Sequence, residues 1–400
     1  MLRGRGRRLG LLTGLVIGIL ASAATSAVAK PGDLLIADPD SSPSGDPAIF
    51  RVDSSTGAVT TVAMGAPLSS VFSLDFDAAG KLLVTDPGMA DEVFKVDPAT
   101  GAVTTVASGA PFGDVLGIDV GPNGHPFVTD DTVAPKGAIF DIDPATGVRS
   151  TLTDGSPFGD DPQGIDVNPL GQLFVADYGS ASIYRVDPSG AKTSIAAGPP
   201  IVEPNLMSLD PAGRLIVPDG DGHAVRRVDP ATGAVTTIAS GAPFDFPFGA
   251  ATTAAGDIII VDEHAGPSNT GAIFRVTPGG VVTTLASGPP LGDPLDVAVE
   301  PPTCRGKPAT IVGTTGADVL TGGPFADVIA ALEGKDRVQG AAGNDTVCAG
   351  PGKDRVSGGS GRDNLFGEAG KDNLSGGKGK DKCVGGKATD KGKGCEKGKL

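Results

Sequence analysis

Residues Gly358–Lys382 read GGSGRDNLFGEAGKDNLSGGKGKDK. Aspartate recurs at every ninth position (Asp363, Asp372, Asp381), each with glycine two places before it (Gly361, Gly370, Gly379). Leu365 and Leu374 lie two places after the first two. Followed backwards, the same spacing holds through Asp354, Asp345, Asp336, Asp327 and Asp318, and Asp390 extends it forwards. The apolar column continues through Leu320, Ile329, Val338, Val347 and Val356. A glycine-rich disordered linker would not keep one apolar residue in register with each aspartate. The pattern instead describes a chain that turns at its glycines and sends one side chain per nonapeptide into a thin core. Two nonapeptides make one coil, so alternate aspartates stack on one side, with coils about 4.8 Å apart. Stacked bare carboxylates repel by roughly 3 kcal/mol per neighbouring pair at an effective dielectric near 20. A shared divalent cation reverses that sign.

The nonapeptide resembles the calcium-binding repeat GGxGxDxUx of haemolysin-type (RTX) proteins. The resemblance implies a parallel β-roll with calcium as cofactor, held by Asp318, Asp327, Asp336, Asp345, Asp354, Asp363, Asp372 and Asp381. Glycines that adopt left-handed conformations free carbonyls to face an ion, and the carboxylate supplies the charged oxygen. Departures exist. Phe325 and Ala388 replace the glycine before Asp327 and Asp390, and Leu332, Ala341 and Glu368 replace another repeat glycine. Lys335, Lys353, Arg362, Lys371 and Lys380 directly precede an aspartate. These cations set the expected affinity in the weak range of extracellular modules, about 10⁻⁴–10⁻³ M. The last turn, GGKATDKGKGCEKGKL, reads as a cap that binds nothing.

A longer repeat precedes the short one. IFRVD at Ile49, VFKVD at Val93, IFDID at Ile139, IYRVD at Ile183, VRRVD at Val225 and IFRVT at Ile273 stand 42 to 48 residues apart. Each is followed by a turn and another strand, as in DPATGAVTTVASGAPFG, and preceded by a run such as KLLVTD, QLFVAD or DIIIVD. Four short strands per unit, separated by Gly/Pro/Asp turns, describe a propeller blade. The chain opens on a second strand, DLLIAD (Asp33–Asp38), and its missing first strand comes last, as LDVAVEPP at Leu295–Pro302. The ring is therefore expected to close through its terminal strand, leaving no long sheet edge exposed. The fold class is all-β: a six-bladed β-propeller followed by a parallel β-roll. The blade pattern resembles the six-bladed propellers of the NHL-repeat, SMP-30/gluconolactonase and streptogramin-lyase kind over residues 33–302. That resemblance specifies the fold and leaves the activity open.

Two features of the propeller invite a functional reading. Asp38, Asp86, Asp130, Asp177, Asp219 and Asp262 end the second strand of all six blades. Their presence in every blade favours a turn residue that accepts backbone N–H groups over a ring of ligands. Asp75, Asp119 and Asp166 occupy equivalent positions on three first strands, where the other blades carry Ser208, Ala251 and Ala298. They are a candidate cation site in the central channel, or carboxylates satisfied by hydrogen bonds to adjacent strands. The lactonases and lyases of this resemblance hold a metal near the pore, but their ligand set does not overlay on this chain, whose histidines are only His125, His223 and His264. No catalytic residue is assigned.

Composition bounds the rest. Gly (62) and Pro (34) indicate many turns, and the absence of Trp weakens a carbohydrate-platform reading of the propeller. The basic start, apolar run from Leu9 and Ala27-Val28-Ala29 read as a secretory signal over residues 1–29, with the propeller at 30–302 and the roll at 303–400. Residues 31–302 carry a net charge of −24 and residues 303–400 one of +4, so the acidic body should repel nucleic acid and anionic lipid. All four cysteines lie in the second part, and none forms a CxxC pair. Three disulfide connectivities are open; Cys304–Cys348 with Cys383–Cys395 is chosen because it staples each end of the roll. The reading is an exported, extracellular or cell-surface, non-catalytic calcium-binding protein. Its propeller would meet an unidentified protein or small-molecule ligand, with no nucleic-acid partner and no membrane attachment after signal cleavage. A propeller lactonase or lyase with the same tail, or a cell-surface adhesin, are the alternatives.

Overall fold

The computed structural model describes residues 30–396 except 42, 89, 134–136, 160 and 387–389, so the signal reading of residues 1–29 lies outside the described residues. Six four-stranded antiparallel sheets follow one another along the chain. In the second blade the strands run Leu74–Phe76, Leu82–Asp86, Glu92–Val96 and Val103–Ser108, from the channel outwards. The second strand is buried along its whole length, whereas the outermost strand is largely open to solvent and exposes both its threonines. The reason is position: a second strand is covered by the neighbouring blade on each face, so it reads as a continuous apolar run. Leu35 and Ile49 of one blade pack on Leu82, Val84 and Phe94 of the next.

The ring closes as the strand count requires. Asp296–Val299 pairs with Leu34–Ser41, placing Leu34 opposite Val299 and Ile36 opposite Val297. That opening strand runs past Asp38 to Ser41. Arg51, 3 % exposed, holds the seam: its guanidinium bonds the Glu300 carboxylate and donates to the Pro98 carbonyl at 3.1 Å. The DPATG turns are built by their aspartates. Asp97 Oδ1 accepts from Ala99 N at 3.0 Å, and Gly101 takes φ +72° where a Cβ would fall 2.2 Å from the Val62 carbonyl oxygen of the preceding blade. Each turn thus fixes the spacing to its neighbour.

Beyond the propeller, strands pair in parallel with an 18-residue offset: Val338 faces Val356, which faces Leu374, on one sheet. Ile329, Val347 and Leu365 do the same on the other. Their side chains meet in a single apolar layer between the sheets. Two nonapeptides therefore make one coil. The structure bonds Cys304 to Cys348 and Cys383 to Cys395, with Cα–Cα distances of 5.7 Å in both.

Candidate metal site: the aspartate ladders

The 18-residue offset sorts the aspartates into two columns. Along the first, the backbone N–H of Asp318, Asp336, Asp354 and Asp372 each donates to Oδ1 of the aspartate one coil further on, at 2.9–3.0 Å, ending at Asp390. Along the second, Asp327, Asp345 and Asp363 donate in the same way, ending at Asp381. Asp390, set aside as part of a cap, thus continues the first column.

The other carboxylate oxygen divides the series. In Asp336, Asp345, Asp354, Asp363, Asp372, Asp381 and Asp390, Oδ2 is buried and has no hydrogen-bond partner. In the first coil it is satisfied locally: Asp318 Oδ2 accepts from Thr314 N at 2.6 Å, and Asp327 Oδ2 from Gly323 N at 2.8 Å. The cause lies four residues before each aspartate. Leu332, Ala341, Gly350, Gly359, Glu368, Gly377 and Gly386 all have positive φ, whereas Thr314 and Gly323 do not. The left-handed turn carries the N–H away from the carboxylate and leaves Oδ2 unpaired. Leu332, Ala341 and Glu368 hold that conformation (φ 70°, 75° and 67°) despite their side chains.

Five residues before the aspartate, glycine leaves a cradle. A Cβ on Gly358 would fall 2.2 Å from Asp363 Oδ2 and 2.7 Å from the Gly376 carbonyl oxygen. The same pair of oxygens surrounds Gly340 (Asp345 Oδ2, Gly358 O) and Gly376 (Asp381 Oδ2, Gly394 O). In the first column the equivalent residues of Asp336 and Asp354 are Ala331 and Ala349, which replace the cradle glycine and are buried with the apolar layer between the sheets. The structure distinguishes an all-glycine second column from a partly filled first one.

Burial pushes Asp345 up to about 7 and Asp354 up to about 6, against the lowering effect of the N–H each accepts, and carboxylates one coil away add to the rise. Buried anionic oxygens without donors need a cation or a proton. Among the described residues no three carboxylate, imidazole or thiol groups converge on one point. Any ion here is accordingly held by carboxylates together with backbone carbonyls, the hard-oxygen donor set of calcium.

The propeller uses its carboxylates differently. Asp86 accepts from Ser69 N at 2.7 Å and Ser70 N at 2.9 Å, and Asp38, Asp130, Asp177, Asp219 and Asp262 likewise hold the loop leading into an inner strand. On the inner strands, Asp75 Oδ2 accepts from Val120 N at 3.0 Å, Asp119 Oδ2 from Val167 N, and Asp166 Oδ2 from Leu209 N at 2.6 Å. Each ties its blade to the next across the channel wall. Burial raises all three: Asp119 well above the usual range, with Asp75 and Asp166 adding to the effect, and Asp166 to about 7. They line a channel cavity of about 190 Å³. The histidines lie apart: His125 pairs with Asp141, His223 contacts the Asp245 carbonyl, and His264 stands 3.5 Å from Glu263.

The family model for the RTX calcium-binding nonapeptide repeat matches residues 312–347 and 349–383, in four copies. Fold and ladders together define a six-bladed propeller joined to calcium-binding repeats. Among solved structures, the chain is similar to one from the nidogen/laminin complex at 17 % identity, covering 67 % of this chain and 98 % of that one, with a TM-score of 0.56. A streptogramin B lyase is 18 % identical over 68 % of this chain and 88 % of its own, TM-score 0.50. A protein of unknown function from Bacteroides caccae is 14 % identical over 67 % and 98 %, TM-score 0.51. At these identities the likeness is one of fold. No curated protein matches the chain.

Proposed function

We propose that the protein is an exported calcium-binding protein in which residues 303–400 form a calcium-ordered roll and residues 30–302 a non-catalytic propeller for binding a partner. The observation that carries this reading is the set of buried, unpartnered Oδ2 atoms in both columns, from Asp336 to Asp390. A bound divalent cation supplies the positive charge these oxygens lack. Asp345, Asp363 and Asp381, with the Gly340, Gly358 and Gly376 cradles, and Asp372, with the same cradle at Gly367, are the best-formed sites; Asp336 and Asp354 follow, and Asp318 and Asp327, already hydrogen-bonded, come last. Two disulfides and calcium-dependent repeats suit an oxidising, calcium-rich exterior. Among the described residues no helix is long and apolar enough to cross a membrane. A non-catalytic propeller is supported by the use of its carboxylates: the ring and channel aspartates are engaged in backbone hydrogen bonds, as loop and blade ties.

Equilibrium dialysis of the full chain against calcium tests the proposal. Several ions should bind per chain at millimolar calcium, and Asp345→Asn, Asp363→Asn and Asp381→Asn together should remove those of the second column and leave those of the first. A stoichiometry unchanged by the triple substitution, or no binding at all, overturns it.

A further inference from the structure

The lysines and arginines that interrupt the nonapeptides have no role in the ladders, yet their placement is regular. From Lys335 to Gly340 the chain alternates strictly, with Lys335, Arg337 and Gln339 exposed and Asp336, Val338 and Gly340 buried. The next coils repeat this: Lys353 and Arg355 are exposed around Asp354, and Lys371 and Asn373 around Asp372. Parallel pairing sets Arg337 beside Arg355, Arg355 beside Asn373, and Asn373 beside Lys391. Lys335, Lys353 and Lys371 form a second column at the same offset. Gln339, Ser357 and Ser375, also in register, form a third. Among the described residues none of these lysines or arginines makes an ion pair.

The result is a flat strip of cations and of amide and hydroxyl groups, repeating with the coil spacing of about 4.8 Å. Of the 27 lysines and arginines after residue 30, 16 lie in residues 303–400, so cationic charge is concentrated on the roll. We propose that this flank binds a linear anionic polysaccharide, uronate- or sulfate-bearing, laid along the axis of the roll. Three observations select that partner. A linear polymer with one charge per sugar matches a linear array of cations at regular spacing, whereas a globular acidic surface does not. The Asn, Gln and Ser side chains offer hydrogen-bond partners for sugar hydroxyls. The strip carries no aromatic side chain, so it lacks the stacking platform that single-stranded nucleic acid requires. The surface needs an ordered roll and in that respect rests on the calcium reading.

The experiment uses the full chain in millimolar calcium, with circular dichroism confirming that each variant is folded, and dextran sulfate as the probe. Wild type should bind dextran sulfate and not neutral dextran. Replacing Lys335, Lys353 and Lys371 by glutamine should weaken binding about tenfold, as three exposed charge contacts are lost. The logarithmic salt dependence should become shallower by about three units. Replacing Arg362, Lys380 and Lys382 by glutamine removes the same charge beside the other aspartate column, away from the strip, and should change affinity by less than about twofold. Equal losses from the two triple variants would reduce the effect to net charge and overturn the proposal. So would a folded wild type that ignores dextran sulfate, oligo-dT binding as tightly, or self-association at low salt that the first triple variant abolishes. A chain that stays disordered in calcium sinks the calcium reading instead.

Discussion

Gly358→Ala is the sharpest perturbation of the calcium site. A Cβ there would stand 2.2 Å from Asp363 Oδ2, 2.7 Å from its Cγ and 2.7 Å from the Gly376 carbonyl oxygen. All three contacts are far inside van der Waals range, and Asp363 is 1 % exposed. Either the carboxylate swings away or the coils separate. Overpacking of this kind costs about 1–3 kcal/mol. Charged to the cation-bound state, that is a loss of about fivefold to 150-fold in affinity at this site. Ala349→Gly makes the converse change in the other column, removing the methyl beside Asp354, and should strengthen calcium binding there. Ser357→Ala, next to Gly358 but facing outwards, serves as the control. Isothermal titration of the full chain with calcium reads all three. If Gly358→Ala leaves stoichiometry and midpoint within about twofold of wild type, the cradle is not the ion site and the argument from Oδ2 and carbonyl oxygens fails.

Three further outcomes follow from the same structure. Ala341→Gly should stabilise the roll by about 1 kcal/mol in calcium, because a left-handed residue loses its Cβ penalty; a lower melting temperature would contradict this. Asp166 is raised to about 7 by burial, so between the unfolded value near 3.8 and about 7 the native state holds a proton the unfolded chain has lost. Its contribution is therefore present at low pH and lost as pH rises through about 7. Asp166→Asn should melt higher than wild type at pH 8.5 and show a weaker decline from pH 5, and an unchanged pH profile would refute the assignment. A chain ending at Pro302 should melt cooperatively, while one ending at Pro290 should not. The latter loses buried Leu291, Leu295 and Val297, about 2 kcal/mol each, from a domain whose total margin is about 5–15 kcal/mol. Equal melting of the two chains would sink ring closure by Asp296–Val299.

The blades were legible because their physics is local. A second strand covered on both faces leaves an unbroken apolar run, and Asp-Pro-Ala-Thr-Gly carries its own turn chemistry. Ring closure followed from counting strands. The ladders were legible because a nine-residue period leaves one register in which the apolar residues meet. What escaped the sequence depends on distant partners. Arg51 meets Glu300 across 249 residues of chain, and nothing near Arg51 announces it. Asp119 reads either as a cation ligand or as a carboxylate bonded to an adjacent strand, and only the fold brings the Val167 N–H to its oxygen. The first coil looks like the others, and only its backbone shows that Thr314 and Gly323 turn their N–H groups onto the aspartates. Leu332, Ala341 and Glu368 look like failed repeats, yet they keep the left-handed turn because the stacked coils around them impose it.

The central claim is that calcium orders the roll through Oδ2 of the stacked aspartates. Amide hydrogen exchange on the full chain, compared in millimolar calcium and in chelator with the disulfides intact, tests it most directly. The account predicts strong gain of protection across Arg337–Gly386 on adding calcium, little change in Leu34–Val299, and no such gain with magnesium, whose octahedral demand suits carbonyl-rich turns poorly. A roll equally protected in chelator, or protection gained in the propeller instead, would contradict it.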